Sequence, residues 1–179
     1  MIRLFEEYVE SADYKISVFF KELKSQIEKW FSEGSLGAQG CELEGDIELS
    51  NYNPMEKFLI FNFFEEGQEE NSMFKYRVIF MIRIDQMKGD EAQAAQAPPQ
   101  EGEAPVETPA EGKALEINKI LLKIHQFDEN NVEKGELVEE VDVEDIKEDF
   151  LIDKLGQLKD TSENPEPDQV DLKDDIYQK

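Results

Sequence analysis

The chain has one cysteine, one histidine and one tryptophan in 179 residues, and only 19 Lys and Arg against 43 Asp and Glu. Each scarcity removes a class of function. Cys41 alone cannot form an intramolecular disulfide, so a disulfide-stapled secreted framework is excluded and a reducing interior is the natural setting. His125 and that one thiol cannot complete a zinc site of the usual His and Cys composition within one chain. The shortage of cations leaves a formal net charge of −24. Such a field repels phosphate backbones and anionic lipid, so neither nucleic acid nor a membrane is expected as a direct partner. The N-terminus has no basic stretch followed by an apolar run, and no window approaches the ~20 apolar residues that span a bilayer. The expectation is a soluble, cytoplasmic protein.

What the chain does have is patterned apolar sequence in two long stretches. From Leu4 to Glu33 the residues Phe5, Val9, Ala12, Ile16, Phe19, Phe20, Leu23, Ile27, Trp30 and Phe31 recur at intervals of about three and four, which predicts an amphipathic helix, broken near Ser11 if at all. A heptad reading places Ile2, Val9, Ile16, Leu23 and Trp30 on one seam, but its bulky aromatics suit a globular core better than a coiled coil. Gly34 supplies the stop, and Ser35–Gly40 reads as a loop. Strands are expected at Glu44–Leu49, Lys57–Glu65, Phe74–Gln86, Leu115–Phe127 and Glu136–Val143. In the third, Phe74, Tyr76, Val78, Phe80, Ile82 and Ile84 alternate with Lys75, Arg77, Ile79, Met81, Arg83 and Asp85. In the fourth, Ile120, Leu122 and Ile124 oppose Lys119, Lys123 and His125. Turn-forming segments at Glu66–Ser72 and Asn130–Gly135 suit hairpins, and successive hairpins make an antiparallel meander. A second helix is expected over Asp142–Lys159, with Asp142, Glu144 and Asp145 in its first turn, where the helix dipole favours negative charge.

The fold class that follows is α+β: a four- or five-stranded antiparallel meander packed against a long N-terminal helix and a C-terminal helix. One domain, 1–159, would contain an Ala-, Pro- and Glu-rich insert at 89–113 and be followed by an acidic tail at 160–179. Neither segment holds enough apolar residues to offset its ordering entropy, so both are expected to be disordered. The charge excess divides as −7 over residues 1–88, −5 over 89–113, −7 over 114–159 and −5 over 160–179. Much of the acidity therefore lies outside the expected fold.

The sequence carries no recognisable catalytic constellation. No sequence feature sets a Ser or Cys41 beside His125, and with 43 carboxylates some pair occurs at any spacing. Gly34, Gly37 and Gly40 follow a helix, whereas phosphate loops follow a strand, so a flexible connection is the better reading. Asp128, Asn130 and Glu139 match three calcium-loop positions, but Val132 and Glu133 fail two others, leaving a hairpin turn. The sequence indicates no catalytic residue, metal or cofactor.

What remains is the mixed sheet face. Lys75, Arg77, Ile79, Met81, Arg83, Lys119, Lys123 and His125 would share it, and it is too apolar for full exposure. These eight are the candidate partner-binding residues. The leading expectation is a noncatalytic structural or assembly protein acting through protein–protein contacts or self-association. In its small size, insert and acidic tail the chain resembles proteins encoded by large tailed bacteriophages, which would imply a place within a virion. A second reading is an acidic decoy that occupies the basic groove of a nucleic-acid-binding protein. A third is an enzyme of unknown class, which would need a deep pocket lined by His125 and perturbed carboxylates.

Overall fold

The computed structural model describes residues 2–66, 73–87 and 116–163. The 89–113 insert and most of the tail lie outside these residues. Helix α1 spans Ile2–Ser32 without a break. A single helical turn, α2 at Ser35–Ala38, stands where a loop was expected. Strands β1 (Cys41–Asn53), β2 (Glu56–Glu66) and β3 (Met73–Arg83) follow. Then come β4 (Lys119–Phe127), β5 (Glu133–Asp142) and helix α3 (Glu148–Glu163). The sheet order is β1-β2-β3-β4-β5, every neighbouring pair antiparallel, so the α+β meander is the observed architecture.

Alternation decides which side of each strand is buried. Leu59, Phe61 and Phe63 on β2, Tyr76, Val78, Phe80 and Ile82 on β3, and Ile120, Leu122 and Ile124 on β4 form one continuous apolar face. Both long helices cover that face. From α1 come Ala12, Ile16, Phe20, Leu23 and Ile27, and from α3 come Leu151, Leu155 and Leu158, all in one core cluster. The apolar stripe of α1 thus covers its own sheet, as its aromatics suggested. Phe31 closes the stripe with its ring 6.1 Å from Phe61 and 5.1 Å from Phe63.

Several boundaries differ from expectation, three of them for a clear local reason. β1 begins at Cys41 because the backbone continues pairing through a bulge, where Gly45–Ile47 stand opposite the single Phe61. Gly45 adopts φ +73 there, a conformation that glycine allows without strain. β3 ends at Arg83, and Ile84–Gln86 turn into a 3₁₀ helix that keeps Ile84 buried. The C-terminal helix starts at Glu148, since Asp142 still pairs with Lys119 and Val143–Asp145 form a 3₁₀ turn. Glu148 and Asp149 therefore occupy the first turn in place of the acids expected there. The helix runs on to Glu163, taking in the first residues of the expected tail.

Two glycines of the triplet, Gly34 and Gly37, form a packed corner. A Cβ at Gly37 would strike the Phe31 carbonyl, and one at Gly34 would strike Glu148 and the Trp30 carbonyl. Glu148 Oε1 accepts a hydrogen bond from the backbone N–H of Leu36 at 2.9 Å, which joins α3 to the turn after α1.

Candidate functional site: the uncovered sheet face

Because both long helices lie on one side, the opposite face of the sheet has no covering layer among the described residues. The strand register lays this face out in rows, since directly paired residues point to the same side. One row runs Ser50, Phe58, Met81, Leu121, Glu140 from β1 to β5. The next runs Glu48, Ile60, Ile79, Lys123, Val138, and the third Glu44, Asn62, Arg77, His125, Glu136. A fourth runs Glu42, Phe64, Lys75, Phe127, Glu133. Phe58, Ile60, Ile79, Met81 and Leu121 are half-buried, and Val138 is 51% exposed.

All eight residues singled out from the sequence stand on this face. Arg83 and Lys119 lie at one end, Ile79, Met81 and Lys123 in the middle, and Lys75, Arg77 and His125 toward the other end. Four of the six basic side chains lie against a nearby carboxylate. Lys75 Nζ passes 5.6 Å above the Phe64 ring and reaches Glu44 at 2.7 Å. Lys119 Nζ lies 2.8 Å from Glu140, whose carboxylate raises the Lys119 pKa. His125 Nδ1 is 2.7 Å from Glu133, and its Nε2 is 3.7 Å from Glu136. Arg83 meets Asp85 at 3.0 Å. Arg77 Nε donates to Asn62 at 3.1 Å, and neither Arg77 nor Lys123 has an ion-pair partner among the described residues.

The charge is segregated by strand. Cations occupy the inner strands β3 and β4. On the same face the outer strands carry Glu42, Glu44 and Glu48 on β1, and Glu133, Glu136, Glu140 and Asp142 on β5. Sequence reasoning missed this acidic rim because the expected first and fifth strands were too short and too weakly patterned to show which of their carboxylates share the open face. It also passed over Leu121 and Val138. Leu121 is hidden in the run Ile120–Leu122, where alternation cannot be read, and β5 has the weakest strand pattern.

Other candidate chemistry resolves into structure. Asp128 Oδ1 accepts the backbone N–H groups of Asn130 at 2.8 Å and Val132 at 2.9 Å, and Lys134 lies 3.0 Å from Oδ2. The Val132 bond above all, then Lys134, holds its carboxyl below the usual carboxylate range. That oxygen builds the turn in which Asn131 takes φ +58, where a calcium loop would have used it as a ligand. A cleft of about 240 Å³ opens between α1 and the far end of β1–β2, beside Asp13, Phe20, Leu49 and Lys57. A second, of about 380 Å³, adjoins Val9, Pro54 and Met55. Neither includes His125. Among the described residues no helix is long and apolar enough to cross a membrane.

The geometry defines a class: an α+β meander with one helix-covered face and one open, apolar-centred face. Comparison of the chain with protein-family models, curated proteins and solved structures finds no match.

Proposed function

We propose that the chain is a noncatalytic structural or assembly protein that acts through protein–protein contacts made by the open sheet face. The observation that carries this reading is the contiguous group Ile60, Ile79, Met81, Leu121 and Val138, which the register brings together on a rigid sheet with no helix of the described fold laid over it. Apolar residues grouped in this way and rimmed by polar ones mark interaction surfaces. A rigid β-scaffold also keeps the ordering cost of binding low. The apolar centre of the face, with carboxylates confined to its two borders, favours docking over a decoy, which would present carboxylates across the whole surface.

The test is affinity purification of the full chain from its native cells, in parallel with the Ile79→Gln/Val138→Gln double variant, both first shown to be folded by circular dichroism. Proteins that bind through this face are recovered with the wild type and reduced at least about tenfold with the variant, as expected when central apolar anchors are lost. Recovery of the same proteins in equal amounts from both chains, or a monomeric wild type with no partner, would sink the reading.

A further inference from the structure

We infer that the open face receives a protein of opposite charge pattern, an apolar centre surrounded by basic residues, and does not receive a second copy of this chain. The inference rests on the reading above and specifies the chemistry of the partner.

The argument is electrostatic and comes from strand order. Glu42, Glu44 and Glu48 line one border of the face, and Glu133, Glu136 and Glu140 line the other. Sheets that pack face to face lie about 10 Å apart with strands roughly aligned. For two copies with aligned strands, related by a two-fold axis through the middle of the face in the plane between them, edge strands fall over edge strands: β1 on β1 when the axis runs across the strands, and β1 on β5 when it runs along them. Acid then meets acid along both borders, at a separation close to the Debye length of about 8–10 Å. When the axis runs along the central strand β3, Arg77 also faces its own image. Self-pairing of aligned sheets is therefore opposed along the rim.

Edge-to-edge growth meets a similar obstacle. β1 is interrupted by its bulge at Gly45–Ile47, and β5 presents a run of glutamates. Residues 164–179 carry five carboxylates against two lysines, so their charge does not complement the same rim. The complementary surface is one with apolar side chains for the Ile60–Ile79–Leu121 centre and Lys or Arg for the two glutamate borders. A carboxylate placed between them would meet Arg77 or Lys123.

The test uses a defined probe, an 18-residue amphipathic helical peptide with a leucine stripe flanked by lysines, titrated into the full isotope-labelled chain. Two control peptides replace every lysine by glutamate or every leucine by serine. Chemical-shift changes are expected at Ile60, Ile79, Leu121 and Val138. Each control should bind about tenfold more weakly or worse, and binding to the Ile79→Gln/Val138→Gln variant should fall by a similar factor. Equal binding of the glutamate or serine peptide overturns the proposal, as do shifts confined to the outer surfaces of α1 and α3. A dimer by light scattering with this face protected from hydrogen exchange overturns the proposal while leaving the docking role intact. Contacts from residues 164–179 to the Ile79 methyl groups would overturn both.

Discussion

Gln126 Nε2 donates a hydrogen bond to the Tyr76 hydroxyl at 3.1 Å inside the core, from a residue 50 positions away in sequence. Gln126 is 1% exposed and Tyr76 is fully buried, and the nearby Glu65 carboxylate adds to the burial that keeps the tyrosine hydroxyl protonated. A polar pair in that setting stabilises only while both ends are matched. Tyr76→Phe leaves the carboxamide donor unmatched and is expected to cost about 1–3 kcal/mol in urea unfolding. Adding Gln126→Met removes the orphaned donor. The double variant should therefore lose less than the sum of the single losses, and additive losses would show that the two side chains are not coupled.

The same end of the core makes stability fall in alkali. Burial, with help from Glu65, pushes the Cys41 thiol from 9.0 up to about 11. Burial and Glu65 also push the Tyr76 hydroxyl well above the ordinary tyrosine range. Between the unfolded and folded values the folded chain holds a proton that the unfolded chain has released. The thiol's contribution is thus complete below about pH 9 and is lost as pH rises toward 11. Urea midpoints should decline across that window, and Cys41→Ala should flatten the slope there. A wild-type midpoint constant from pH 8 to 11 would contradict the assignment.

Two glycines should respond in opposite directions to alanine. At Gly37 the new methyl group meets the Phe31 backbone carbonyl, which cannot move without displacing the end of α1. Gly37→Ala is expected to destabilise by about 2 kcal/mol or more. Gly156 lies inside α3 with nothing within 4 Å of the added atom. Gly156→Ala should stabilise by about 0.5–1 kcal/mol through its better helix propensity. Thermal unfolding of the pair checks both signs.

The two faces of the sheet should differ in what they contribute to the fold. Phe61, 1% exposed beneath Phe31, is expected to cost about 3–5 kcal/mol on truncation to alanine. Val138→Gln on the open face should change stability by no more than about 0.5 kcal/mol. A loss of several kcal/mol at Val138 would show that this face is packed by the chain itself.

Much of the fold can be read from the sequence, because its signals are local. The three-and-four spacing of α1 identifies the helix and its buried side. The strict alternation from Phe74 to Arg83 sorts Tyr76, Val78 and Phe80 to the core and Arg77, Ile79 and Met81 to the open face before any partner strand is known. β2 was less clear. Phe58, Leu59, Ile60, Phe61, Phe63 and Phe64 are apolar on both sides, so alternation alone could not choose between the two sets. Packing chose Leu59, Phe61 and Phe63, which meet α1. The helix at the C-terminus was placed six residues early because its capping acids extend back through a strand end and a 3₁₀ turn.

By itself, then, the sequence determined the meander, the two helices and the membership of the mixed face, since period two and period 3.6 are properties of a single segment. Only the tertiary structure decided that β1 and β5 both join one five-stranded sheet, and that their carboxylates form a rim around Arg77, Lys123 and the apolar centre. These are relations between segments far apart in the chain, set by hydrogen-bond register and by how the helices share one core. The acidity that was at first only a total becomes, in the folded chain, a pattern with a centre and a border.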